Sequence, residues 1–206
     1  MAHHEEPQST NSDSAHGAEP STGHRQTRTD RLFVALDLPA DARAALASFR
    51  DAADPAVWRP VADEALHVTL VFLGHRPEGE SARVAEVVRA CSGPAADLAL
   101  GPALLLPPRR ARVLCAQVVD GAGALAALHG RLVAALAEAG LHEPERRRFR
   151  PHATVARLRS GARPPRSTPA EDPEPVVFAG EALTLYRSHL SPSGARYEPL
   201  ERVAVG

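Results

Sequence analysis

Leu66-His67-Val68-Thr69-Leu70 and Pro151-His152-Ala153-Thr154-Val155 are the stretches from which the fold is read. Each reads His-x-Thr followed by an aliphatic residue, and 152 − 67 sets the histidines 85 residues apart. Each lies in an alternating run of strand character. Alternation puts residues i and i+2 on one face, so each strand presents an imidazole and a hydroxyl side by side. Two such strands facing each other across a groove would surround one small polar ligand with two histidines and two threonines.

Between and around these strands the chain alternates further short elements. Leu32-Phe33-Val34-Ala35-Leu36 is an apolar strand, with order starting at Arg31. A helix to about residue 53 buries Ala45, Leu46 and Phe49, and Trp58-Arg59-Pro60 is extended. The first motif strand spans about residues 66–73 and is closed by Gly74, with Leu66, Val68, Leu70 and Phe72 on its core face. A helix follows over 80–90. Strands over 98–106 and 112–119 flank a Pro107-Pro108-Arg109-Arg110 hairpin loop. A helix from 124 to 139 carries the stripe Leu125, Leu128, Leu132, Leu136 and ends at Gly140. The second motif strand covers 151–158. Residues 159–174 form a loop, and strands over 176–188 and 196–205 bracket Ser191-Pro192-Ser193-Gly194. Each half thus holds one His-x-Thr and a helix, which reads as a duplication.

Composition bounds the function. The chain has 206 residues, 44% hydrophobic and 24% charged, and suits one medium domain or two small lobes. No apolar run approaches the ~20 residues that cross a bilayer. There is no Lys and no Ile, so all 24 basic residues are Arg. That bias follows a GC-rich coding sequence, and an Arg in place of Lys therefore carries no functional information here. The net charge is −1; residues 1–30 hold five acids and two arginines, −3, which leaves +2 for the rest. This is not the footprint of a duplex-binding protein, but it permits a local basic pocket. Residues 1–30 contain no Leu, Val, Phe, Tyr or Trp and read as a disordered tail, with no signal peptide. The tail histidines (His3, His4, His16, His24) read as solvated. Cys91 and Cys115 lack metal-site spacing and read as buried free thiols in a reducing cytoplasm.

Two imidazoles, one neutral and one protonated near pH 7, can act as base and acid on opposite sides of a phosphorus. Threonine hydroxyls can hydrogen-bond the non-bridging oxygens, where charge grows in the transition state. The scheme needs no metal and no cofactor. A metal site would want a third ligand, and neither motif carries a carboxylate in register; His75 and His189 are not tied to the site by sequence. No nucleophile elbow or activated cysteine context is present. A single His-x-Thr on a strand is usually structural; it is the pair that points to chemistry.

The sequence resembles the bacterial and archaeal RNA 2′,3′-cyclic phosphodiesterases, once called 2′-5′ RNA ligases, within the two-histidine (2H) phosphoesterases. The resemblance covers about residues 31–205. It rests on Arg31 to Leu36, Leu66 to Gly74, Arg148-Phe149-Arg150-Pro151-His152-Ala153-Thr154-Val155-Ala156-Arg157 and Leu185-Tyr186-Arg187-Ser188. Ala65 departs from the family, which often has Asn there. The resemblance implies an α+β fold of two pseudo-twofold-related lobes, each an antiparallel sheet with helices outside, around a central groove, spanning 31–206. It implies His67 as proton donor to the O3′ leaving group and His152 as proton acceptor from water. Thr69, Thr154 and Arg157 would bind the phosphate. The implied substrates are RNA ends or nucleotides with a 2′,3′-cyclic phosphate, opened to 2′-phosphomonoesters by a monomer without an obligate protein partner. Alternatives are 2′-5′ ligation, another small cyclic nucleotide, or a module that binds RNA ends without turnover. In a regular strand Arg157 falls on the face opposite His152, so either the strand bulges after Val155 or the side chain reaches round its end. Phe72 is expected in the core. Arg147, Arg148 and Arg150 read as solvated, and Tyr186 and His189 have no assigned role.

Overall fold

A computed structural model describes residues 28–91, 93–145, 147–168, 171–191 and 194–205. The expected tail, save residues 28–30, lies outside the described residues with its histidines, as do Pro192 and Ser193 of the last turn. In chain order the elements are β1 (Thr29–Asp37), α1 (Ala40–Asp51), β2 (Trp58–Pro60), β3 (His67–Pro77), α2 (Glu80–Ala90), β4 (Leu98–Leu106), β5 (Val113–Asp120), α3 (Ala124–Glu138), β6 (His152–Leu158), β7 (Val177–Phe178), β8 (Ala182–Ser191) and β9 (Gly194–Ala204).

The helices form where apolar residues recur at helical spacing. In α3 the stripe Leu125, Leu128, Leu132, Leu136 is fully buried. The helix stops because Gly140 takes φ +70°, and the Gly140 and Leu141 N–H groups donate back to Ala137 and Leu136 O at 3.0 and 2.8 Å. Helix α1 buries Ala42, Ala45, Leu46 and Phe49. Both cysteines are buried and free, as expected.

All strands pair antiparallel, in the order β7-β4-β5-β6-β3-β1-β8-β9, with β2 also on β6. The two lobes, β7-β4-β5-β6 and β3-β1-β8-β9, meet at β3 and β6, registered through the single pair Val68↔Ala153. Helix α2 packs on β8 and β9, α1 on β6 and α3 on β5. This is the α+β architecture expected.

Three details differ from the sequence reading. The lobes are not the two halves of the sequence: the C-terminal hairpin β8–β9 returns to pair with β1. The strand expected over 176–188 is therefore split, with β7 on β4 in one lobe and β8 on β1 in the other. The crossing passes Gly180, where a Cβ would stand 2.5 Å from Leu36 Cδ1, so only glycine fits there without displacing a fully buried leucine. Finally, β1 starts at Thr29, and β3 does not end at Gly74 but runs to Pro77. The register passes from Leu32↔Gly74 to Phe33↔Phe72, so Leu73 is an extra residue beside Gly74, which has φ +72°.

Candidate active site

The two His-x-Thr stretches do not face each other across a gap. They are side-by-side neighbours at the seam of the sheet, joined through their middle residues Val68 and Ala153. Counting outward antiparallel from that pair sets His67 across from Thr154 and His152 across from Thr69. Residues directly opposite share a face, so all four polar groups fall on one side. Val68 and Ala153, on the other side, are fully buried.

Each histidine is oriented by the same device. His67 Nδ1 lies 2.8 Å from Ala65 O, and His152 Nδ1 lies 2.7 Å from Arg150 O, both two residues upstream. A carbonyl only accepts, so each Nδ1 carries a proton and donates it. That leaves each Nε2 for chemistry. The Thr69 hydroxyl donates to His67 Nε2 at 3.0 Å in the neutral ring.

His67 is packed among aromatic rings. Phe33 stacks on it at 5.1 Å between centroids, and Tyr197 meets it edge-on at 5.3 Å. Tyr186 stacks on Phe33 at 5.3 Å, lies 6.2 Å from the His67 ring, and is itself held by Asp37. The Asp37 carboxylate accepts from Tyr186 Oη (2.8 Å), Thr184 Oγ1 (2.8 Å) and Arg202 Nε (3.0 Å). Burial pushes the His67 pKa down to about 4. The hydrogen bond to Ala65 and the Asp37 charge oppose this, while the Arg157 guanidinium and the neighbouring His152 ring add to it. His67 is thus neutral in the free protein at pH 7. Burial also pushes the Cys115 thiol, 3.5 Å from Thr154 Oγ1, up to about 11, which makes it a poor nucleophile.

A matched pair of bulges places two more side chains. Along β3 the register passes from Ala35↔Thr69 to Val34↔Val71, so Leu70 is an extra residue. Along β6 it passes from Cys115↔Thr154 to Leu114↔Ala156, so Val155 is an extra residue. One extra residue reverses the alternation beyond it. Arg157 therefore lies on the face of His152 and Thr154, which resolves the offset in favour of a bulge. By the same step Phe72 joins His67 and Thr69. The expectation that Phe72 packs in the core is wrong: it is 43% exposed, and Val71 and Leu73 are buried instead. Phe72 and Arg157 are equivalents, each five residues after its histidine.

His67, Thr69, Thr154, Phe72, Arg31 and Arg157 all line one small cavity of about 110 Å³. His152 stands outside its wall, across from Thr69 in the strand register. Arg31 was not singled out by the sequence reading as a site residue. Its guanidinium lies 4.5 Å over the Phe72 ring centroid and donates to Ser188 Oγ at 2.9 Å. The available signal was alternation in β1: Leu32, Val34 and Leu36 are buried core, so Arg31, Phe33 and Asp37 share the other face. His189 is paired with Glu198 at 2.8 Å and His75 lies 3.3 Å from Thr29 Oγ1; neither lines this cavity. Arg147, Arg148 and Arg150 are exposed.

The chain has clear relatives. The 2′-5′ RNA ligase superfamily matches residues 37–192. The chain is 34% identical over 200 residues to an RNA 2′,3′-cyclic phosphodiesterase of Thermus thermophilus, with 85% of this chain and 90% of that protein covered. It is 31% identical over 179 residues to the RNA 2′,3′-cyclic phosphodiesterase of Escherichia coli (strain K12), with 85% and 96% covered. Among solved structures it is similar to E. coli LigT complexed with 3′-AMP, with 29% identity, a TM-score of 0.70 and 86% and 99% covered. For E. coli LigT complexed with phosphate the identity is 28%, the TM-score 0.67 and the coverage 86% and 98%.

Proposed function

The chain belongs to the 2′-5′ RNA ligase superfamily, and on that footing we propose that it hydrolyses 2′,3′-cyclic phosphate ends of RNA or nucleotides to 2′-phosphomonoesters. The observation that carries this is the seam itself: two histidines and two threonines on one face, with each Nδ1 occupied by a carbonyl and each Nε2 turned away from it, that of His67 toward the Thr69 hydroxyl. His152 Nε2 takes a proton from water as its oxygen bonds to phosphorus. The P–O3′ bond breaks, and His67 Nε2 gives its proton to O3′. The Thr69 and Thr154 hydroxyls donate to the non-bridging oxygens, and Arg157 offsets their charge. Since free His67 is neutral, the substrate's own anionic phosphate must favour its charged form, so binding loads the acid. The residues act without metal or cofactor. The unit that does so is the two-lobed region 31–206, acting as a monomer. Two buried free thiols suit a reducing cytoplasm. No helix among the described residues is long and apolar enough to cross a membrane.

The deciding experiment is incubation with an RNA bearing a 2′,3′-cyclic phosphate, followed by identification of the monoester. A 2′-phosphate formed equally with and without EDTA is expected. Loss of activity in EDTA, restored by Zn²⁺, would overturn the metal-independent scheme. Tight binding with no product would support a binding module, and joined 2′-5′ strands from a 2′,3′-cyclic end and a 5′-hydroxyl end would support ligation.

The pH profile follows from the burial of His67. Values of kcat/KM report the free enzyme. Their lower limb is expected near pH 4, where His67 titrates, rather than near the usual histidine value. The kcat limb reports the bound state and is expected at higher pH, because the bound phosphate favours the imidazolium. Identical lower limbs near pH 6.5 in both plots would contradict this electrostatic account.

A further inference from the structure

Two larger cavities flank the small one at the seam, and they differ in charge. One adjoins it at Arg31, has a volume of about 260 Å³, and includes Asp30 and Glu78 in its wall. Its charges are matched internally: Arg187 lies 2.9 Å from Asp30 and Arg28 lies 3.8 Å from Glu78. The other adjoins at Arg157, has a volume of about 850 Å³, and is walled by Arg59, Arg110, Arg112, Arg157 and Arg159 with no Asp or Glu among the described residues. Strand pairing forces this convergence. Arg59 on β2 lies directly opposite Arg157 on β6, and Val113, next to Arg112, lies opposite Arg157 on the other side. Like charges placed opposite each other are destabilising. Among the described residues Arg110, Arg112 and Arg157 have no carboxylate within ion-pair distance. Arg159 Nε donates to Pro55 O at 2.7 Å, which fixes the floor beside them. Arg identity means little in a chain without Lys; five cations in one wall whose described residues include no acid do carry weight, because the arrangement favours an anionic occupant.

The seam cavity, at about 110 Å³, is well below the ~300–1,000 Å³ of ordinary small-molecule sites and suits the reacting phosphate alone. The rest of the substrate must therefore lie beyond it. A 2′,3′-cyclic phosphate ends a strand, so the remaining chain leaves in one direction, through the 5′ oxygen of the terminal nucleoside. Of the two exits, the one at Arg31 presents carboxylates and the one at Arg157 does not. We propose that the five-arginine cavity holds the internucleotide phosphate on the 5′ side of the terminal nucleotide, so that the preferred substrate is a strand rather than a cyclic mononucleotide. This rests on the seam being the site of cyclic-phosphate hydrolysis.

The test compares wild type with the Arg110→Ala/Arg112→Ala double variant on three substrates: a 2′,3′-cyclic mononucleotide, the same compound with a 5′-phosphate, and a short RNA with the same cyclic end. In wild type, kcat/KM should rise at least about tenfold on adding the 5′-phosphate and again reach at least that level with the RNA. The double variant should lose that gain and keep the mononucleotide rate within about twofold, which also reports its folding. Its plot of log kcat/KM against log salt on RNA should be shallower by about 0.7 for each phosphate that the missing guanidinium groups no longer neutralise. Turnover of the mononucleotide with no gain from a 5′-phosphate, or an equal gain in the variant, would overturn the subsite and leave the hydrolase reading intact. Failure of wild type to turn over any of the three would overturn the hydrolase reading itself.

Discussion

His152→Ala and His67→Ala are each expected to lower kcat by about 10²–10⁴-fold, because in the proposed mechanism each removes one proton transfer from the transition state. The losses should not multiply. When one imidazole is gone, water must serve in its place and the step is no longer concerted across phosphorus, so the second imidazole has less to contribute. Groups that act as a unit show this non-additivity, and the double variant is expected to be only modestly slower than the worse single one. Asymmetry between the two is expected elsewhere. His67 is clamped by Phe33 and Tyr197 and bonded to Thr69, whereas His152 lies outside the small cavity. Alanine at 67 leaves a void in that ring cluster and should also lower thermal stability; alanine at 152 should not. Full activity in either single variant, with the purified protein folded, would remove that histidine from the mechanism.

Asp37→Ala is expected to give the largest loss of stability among substitutions near the site. The Asp37 side chain is 11% exposed and accepts from Thr184, Tyr186 and Arg202. Thr184 is fully buried, so its hydroxyl would have no water to replace the carboxylate. Hydrogen bonds to a charged partner contribute ~1.5–3 kcal/mol each. Arg202 is half exposed and rehydrates readily, so it adds little. The two hydroxyl bonds together give a loss of about 3–6 kcal/mol, which for a chain of this size lowers Tm by roughly 6–24 °C. Asp37→Asn keeps an acceptor oxygen and should fall between wild type and Ala. A functional consequence follows, because Tyr186 and Phe33 stack on each other and both neighbour the His67 ring. The Asp37 charge also raises the His67 pKa, so in Asp37→Asn the lower limb of kcat/KM should move further down. Chemical denaturation of Asp37→Ala within about 0.5 kcal/mol of wild type would show that this network is not a structural anchor.

Much of the architecture was legible because it rests on local periodicity. The Leu stripe of α3 and its Gly140 stop, the buried face of α1, and the alternation that set His67 beside Thr69 and His152 beside Thr154 all follow from residues three or four, or two, apart. The expectations that failed share one cause. Phe72 in the core and Gly74 as a strand end assumed unbroken alternation, whereas the bulge offered as one of two placements for Arg157 is present. The bulges at Leu70, Leu73 and Val155 break it, and a bulge exists only relative to the partner strand. Likewise the split of β7 from β8 depends on which distant strand each one meets, and on the close approach of Gly180 to Leu36.

The sequence by itself determined the two His-x-Thr pairs, each a two-residue spacing inside one strand that sets an imidazole beside a hydroxyl. Only the tertiary structure decided their relation. They are neighbours at a one-pair seam, with Arg157 and Phe72 turned onto the same face by matched bulges and Arg31 of β1 lying over the Phe72 ring. It also gathered Arg59, Arg110, Arg112 and Arg159 beside Arg157 from stretches up to a hundred residues apart. The physical reason is that pairing register and charge convergence are properties of strand pairing between distant segments, and neither has a signature within one strand.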